Sequence, residues 1–161
     1  MSYDVVKLVP IFCKGFLGEA PFEEGTLLRK DFLPIAQMDY SIESLKLLNK
    51  YLEAVHLENG SDERQDYVNT VLAAGCYLGE VIRKHATRKY RWINYDEFIK
   101  TVDAKTLEFI KQAYDFTDSL GTCALLIDDS GGWTMPINKV GRFIEEGPEN
   151  DVYFYATGQL K

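Results

Sequence analysis

The segment Cys123-Ala124-Leu125-Leu126-Ile127-Asp128-Asp129-Ser130-Gly131-Gly132-Trp133-Thr134-Met135-Pro136 decides the fold class. An apolar run ends at Ile127, and a second, shorter one resumes at Trp133. Between them stand only turn formers: carboxylates and a hydroxyl that bond their own backbone, and glycines that accept positive φ. Two apolar runs around such a linker form a β-hairpin signal. Pro136 cannot donate to a ladder and so stops the second strand. A sheet is therefore expected in a chain whose other periodicities are helical.

Toward the C-terminus, Ile137, Val140, Phe143 and Ile144 recur at helical spacing up to Gly147, and Val152-Tyr153-Phe154-Tyr155 closes the chain as a strand or a short helix. Toward the N-terminus, Arg91-Trp92-Ile93 reads as a further short strand. Asn94 and Glu97 have the spacing of a capping box, and Asp103 is placed to cap a helix carrying Leu107, Ile110 and Tyr114. Two longer helices precede these. Ser41 is positioned as the N-cap of the first, with Glu43 in its first turn and Tyr40 and Leu45 as a hydrophobic staple. Ile42, Leu45, Leu48, Leu52 and Val55 form its apolar stripe, and Asn59-Gly60 its C-cap. The second helix opens at Ser61 or Asp62 and runs to about Ala86. Its residues from Val71 to Ile82 are apolar on more than one face, as in a helix at a domain centre. Gly75 and Gly79, one turn apart, leave room there for a neighbouring element. The short link predicts that the two helices form an antiparallel hairpin.

Residues 1–38 contain Pro10, Pro21 and Pro34 and read as an irregular lead-in with a short strand over Val5–Phe12. The expected architecture is α+β. Residues 1–161 form a single domain, with the lead-in over 1–38, the helical hairpin over 41–86, and sheet plus helices over 90–161. The N-terminal helical hairpin packs with a small antiparallel sheet and a C-terminal helix.

The chain has 161 residues, 46% hydrophobic and 27% charged, which excludes a disordered segment or a coiled coil. Its net charge of −7 argues against a dedicated nucleic-acid binder and against an anionic membrane surface as partner. The apolar run Leu8–Cys13 is too short for a secretory signal or a membrane span. Cys13, Cys76 and Cys123 are odd in number and far apart, so neither a disulfide framework nor a thiolate zinc site is expected. A cytoplasmic location follows as the default, with no cofactor or metal.

Few residues suggest chemistry. His56 and His85 stand alone, and no nucleophile elbow, P-loop, zincin or dinucleotide motif is present. Glu80, an acid inside an apolar stretch, offers a general acid or base if buried, but a solvated i,i+4 pair with Lys84 on a face shared with Asn69 and Ala73 accounts for it more simply. Asp128 and Asp129, with Glu145 and Glu146, offer paired carboxylates, although turn and helix-end roles explain them as well. The segment Arg83–Arg91 holds five of the eighteen basic residues, a phosphate-binding patch or else a complement to a helix C-terminus. Charge is also unevenly distributed. Residues 92–161 carry twelve acidic and six basic side chains, and with them Trp92, Trp133, Tyr153 and Tyr155. Acids interleaved with aromatics suit a protein interface steered toward a basic partner.

Ser41-Ile-Glu-Ser-Leu45, the helix segment Ala74–Ile82, Trp92, Pro136-Ile-Asn-Lys-Val140 and Phe143-Ile-Glu-Glu-Gly147 together resemble a family of small bacterial domains with a helical hairpin, a tryptophan and a small sheet. The resemblance covers about residues 40–155, and the stretch from Asn94 to Thr117 is longer than its pattern. It implies bacterial origin and carries over no functional residue; at the level of class, the chain is similar to immunity proteins that neutralise toxin domains. The leading expectation is a non-enzymatic, protein-binding module, most concretely an immunity-type inhibitor of a basic toxin domain. Its partner-binding residues would be Asp128, Asp129, Trp133, Glu145, Glu146, Glu149, Asp151, Tyr153 and Tyr155. The alternatives are a small enzyme using Glu80 or Asp128/Asp129, and polyanion binding through Arg83–Arg91.

Overall fold

The computed structural model describes residues 4–58, 64–113 and 123–161. Among these residues, seven α-helices and a three-stranded antiparallel sheet make an α+β fold. The first element corrects the expectation for the lead-in: Val5–Phe16 is a helix, α1, and not a strand. Val5, Val9, Phe12, Cys13 and Phe16 are all buried, a spacing that makes one stripe on a helix but would fall on both faces of a strand. Pro10 lies inside this helix on its exposed side and removes one backbone donor, which obscures the pattern in the sequence.

Helix α2 spans Ser44–Leu57 and α3 spans Arg64–His85. Ser41 serves the entry to α2 differently from a regular N-cap: its Oγ accepts from the Ser44 amide at 3.1 Å. Tyr40 has φ of 63° and stacks its ring on Tyr77 at 4.9 Å. The expected C-cap Asn59-Gly60 and the start of the second helix at Ser61 or Asp62 lie outside the described residues, as does Tyr114. Helix α3 is the central element, packed chiefly against α1 and against α6 (Pro136–Glu146), while α2 packs on α6 and on α7 (Val152–Gly158). The two glycines explain how α6 approaches so closely. A Cβ at Gly75 would lie 2.7 Å from the Ile137 backbone, and one at Gly79 would lie 2.2 Å from the Trp92 ring. The closing segment that reads as strand or helix is the helix α7.

Strands β1 (Arg91–Asn94), β2 (Ala124–Ile127) and β3 (Trp133–Thr134) pair in that order. Register sets Trp92 opposite Leu126 and Ile93 opposite Leu125, so alternate residues face two different cores. Trp92, Ala124 and Leu126 join the main core around α3. Ile93 and Leu125 join a smaller one with Phe98, Ile110 and Met135, roofed by α4 (Tyr95–Phe98) and α5 (Ala104–Ala113). Asp103 caps α5 as expected, accepting from the Thr106 amide at 2.7 Å. The capping box at Asn94 does not form. The Asn94 amide instead holds the start of α1, donating to Asp4 at 2.8 Å and accepting from the Val6 amide at 3.2 Å.

Candidate functional site

The hairpin places the first pair of candidate acids. Asp128 Oδ1 accepts from the Ser130 amide and hydroxyl at 2.8 and 2.7 Å and from the Gly132 amide at 3.0 Å. Gly131 completes the turn at φ of 89°. These bonds, led by that from the Ser130 side chain, hold the Asp128 carboxyl below its ordinary range. Its side chain is buried and faces Arg88 at 3.6 Å. Asp128 is therefore a turn-forming residue and is not presented to a partner, whereas Asp129 beside it is exposed. Trp133 is half-buried, its ring packed against Phe98 at 5.7 Å between centroids.

The remaining candidates lie beyond the other end of α6, a helix of 11 residues and about 16 Å long. Glu145 and Glu146 are exposed in its last turn, and Glu149 is exposed in the 3-10 turn that follows. Tyr67 donates to Glu145 at 2.9 Å, and Arg142 lies 3.8 Å from Glu146. Asp151 serves the structure: it caps α7 through the Phe154 amide and receives the Asn49 side chain. Tyr153 lies under the Lys46 ammonium at 4.9 Å, and the Tyr155 hydroxyl bonds that of Thr134 on β3. The chain thus places Glu145, Glu146 and Glu149 at one end of α6 and Asp128, Asp129 and Trp133 at the other, while α7 reaches back to the hairpin through the Tyr155–Thr134 bond.

Phe154 is the residue that the sequence reading missed. It is 78% exposed, the most exposed large apolar side chain among the described residues. Helical geometry explains this, because Val152 and Ala156, at i and i+4, are the buried face of α7 and Phe154 points opposite them. As a strand, the same segment would have divided its residues by alternation. The helical reading, already open from the sequence, carried this signal.

A second region surrounds Glu80. Its expected partner Lys84 is replaced by Arg83, whose Nη1 donates to Glu80 Oε2 at 2.9 Å, while Trp92 Nε1 donates to the same oxygen at 3.3 Å. The carboxylate is half-buried, not fully solvated. Asn69 and Ala73 are both buried, with Asn69 bonded to the Glu24 and Thr26 carbonyls. Glu80 lines a cavity of about 760 Å³ between the ends of α1 and α3, and most of the Arg83–Arg91 segment lines it too. Asp128 does not line that cavity, so the two acids of the enzyme alternative do not converge on one concavity, although Arg88, which pairs with Asp128, does line it.

The three thiols are free. Burial pushes Cys13 and Cys123 up to about 12, with the Glu80 charge adding to the effect at Cys13, and burial raises Cys76 as well. All three are therefore protonated at neutral pH and are poor nucleophiles. Each histidine is joined to a backbone carbonyl, His56 Nδ1 to Ile144 at 2.7 Å and His85 Nε2 to Tyr40 at 2.9 Å. Among the described residues no three His, Cys, Asp or Glu side chains gather as a metal site, and no helix is long and apolar enough to cross a membrane. Comparison with protein-family models, with curated proteins and with solved structures finds no match to this chain.

Proposed function

We propose that this chain is a non-enzymatic, cytoplasmic protein-binding module that covers a basic surface of its partner, most concretely an immunity-type inhibitor of a basic toxin domain. The observation that carries the reading is Phe154, an aromatic side chain 78% exposed on α7. Glu145, Glu146 and Glu149 are exposed nearby in the chain. An exposed aromatic with acidic side chains near it in the chain suits an interface: the ring supplies buried apolar area, and the carboxylates steer and orient a cationic partner. Tyr153 and Tyr155 flank Phe154 with their rings already fixed by Lys46 and Thr134, so little side-chain entropy remains to be lost on docking. Asp129 and Trp133 belong to the hairpin, which meets α7 where Thr134 bonds Tyr155, and would extend the contact on that side.

The test is co-purification with a basic toxin domain encoded beside the gene for this chain. Phe154→Asp and the triple reversal Glu145→Lys/Glu146→Lys/Glu149→Lys should each abolish the complex while the circular-dichroism spectrum is kept. Retention of the complex by both variants would overturn the reading. Asp128 and Asp151 are left unaltered, since their loss would damage a turn and a helix cap.

A further inference from the structure

The cavity at the ends of α1 and α3 carries more positive charge than the fold requires. Five cations line it, Lys14, Arg83, Lys84, Arg88 and Lys89, against the two carboxylates Glu19 and Glu80. The dipole of α3 accounts for cations in its last turn, Arg83 and Lys84, but its influence fades within a turn. Arg88 and Lys89 lie beyond the helix. The segment that carries them is pinned, with the Thr87 amide and hydroxyl both donating to the Leu160 carbonyl at 2.9 and 3.2 Å. Among the described residues Lys14, Lys84 and Lys89 form no ion pair within 4 Å, although Lys84 adds to the hydrogen bonds from Ser41 in lowering the Asp39 carboxyl. Arg83 and Arg88 already have Glu80 and Asp128 as partners, and an anion bound among the cations of this concavity would offset the charge of the lysines. Two tyrosines, Tyr40 and Tyr90, supply the less polar part of the wall.

We propose that this cavity binds a small anion bearing phosphoryl groups, with the three free ammoniums and Arg88 as its ligands. Its volume of about 760 Å³ falls in the small-molecule range of roughly 300–1,000 Å³. A long polyanion is disfavoured, because it would have to cross the surrounding surface of a chain with net charge −7. Several lysines arranged as point charges suit the dense charge of a phosphoryl group better than the single charge of a carboxylate. The site also contains its own reporter. Arg83 and Trp92 donate to the same oxygen of Glu80, so an anion that draws Arg83 toward itself alters the indole's surroundings.

Inorganic pyrophosphate is the probe, titrated into full-length Trp133→Phe so that Trp92 is the sole tryptophan. The expected result is a saturable change in Trp92 fluorescence with Kd below about 1 mM, weakening as salt is raised. Lys84→Gln/Lys89→Gln, two exposed positions whose neutralisation leaves the fold intact, should weaken binding about tenfold or more. Glu146→Lys/Glu149→Lys, at the end of α6 and in the turn after it and outside the cavity lining, should leave Kd unchanged, which separates this proposal from the partner-binding one. The idea is overturned by no saturable change up to about 10 mM, by a Kd indifferent to the two lysines, or by heparin binding far more tightly than pyrophosphate.

Discussion

At the end of α6, carboxylates serve the fold before they serve a surface: Asp151 caps α7, Glu145 is held by Tyr67, and Glu146 lies near Arg142. At the ends of α1 and α3 the arrangement is reversed, with Lys14, Lys84 and Lys89 sharing a concavity and forming no ion pair within 4 Å among the described residues. The acidic region carries an exposed aromatic, while the basic one lines a cavity. An exposed aromatic suits a macromolecular partner, and a cavity lined by cations suits a small anion. A count of charge along the sequence does not reveal this difference.

The largest expected effect falls in the core between the two regions, where α3 meets β1. A Cβ at Gly79 would lie 2.2 Å from the Trp92 ring, so the ring must move. Gly79→Ala should destabilise the protein by about 1–3 kcal/mol, as overpacking of a filled core does. It should also shift Trp92 emission while leaving the α7 face intact. Gly141→Ala is the control. Its Cβ would meet only Val71, at an ordinary 3.9 Å, and it should stabilise the helix interior by about 0.5–1 kcal/mol. Denaturation midpoints of the two variants check both signs. If Gly79→Ala is neutral, the close approach of α3 to β1 and α6 is wrong.

The next effect concerns Asp128, the acid that separates the hairpin from the acidic face. Asp128→Ala removes three hydrogen bonds from a buried carboxylate and should cost about 2 kcal/mol. The pH dependence has a definite sign. Because the folded carboxyl is held below its unfolded value, its contribution is present above about pH 4 and is lost as the pH falls through the depressed value. Asp39 and Asp103 are depressed in the same direction by local hydrogen bonds, from Ser41 and Thr106 respectively, so Asp128→Ala should remove only part of the acid-side slope. An acid limb identical to that of the unaltered chain would contradict the turn geometry.

The sheet, α6 and the role of the two glycines were legible because each rests on local chemistry: turn formers, a proline after a strand, and small residues one turn apart. Helix α1 was not legible, because Pro10 interrupts a stripe whose meaning becomes clear only when Val5, Val9 and Phe16 meet α3. Asn94 had the spacing of a cap, yet its amide is claimed by Asp4 and Val6, some ninety positions earlier in the chain. Long-range claims of this kind leave no periodic trace. The same applies to the candidate residues. The basic run Arg83–Arg91 was visible as a string, but its closure into a hollow required Lys14 from α1 and the pinning of Thr87 by Leu160. Asp128 and Asp151 looked like surface charge because a sequence does not distinguish a carboxylate that faces solvent from one that binds its own backbone.

The smallest expected effect is at Phe154, and its smallness is informative. A large aromatic side chain retained for packing costs about 3–5 kcal/mol when truncated. Phe154 is 78% exposed and its removal opens no cavity. Phe154→Ser should therefore leave stability unchanged within about 0.5 kcal/mol, read from the midpoint of urea denaturation. Val152→Ala, on the buried face of the same helix, should cost about 1–2 kcal/mol under the same conditions. If Phe154→Ser proves as costly as Val152→Ala, the ring is buried and α7 is turned about its axis, with Phe154 facing the core. The aromatic centre of the proposed interface would then be lost, and the hold of Leu160, just after α7, on Thr87 beside the lysine-lined cavity would be in question as well.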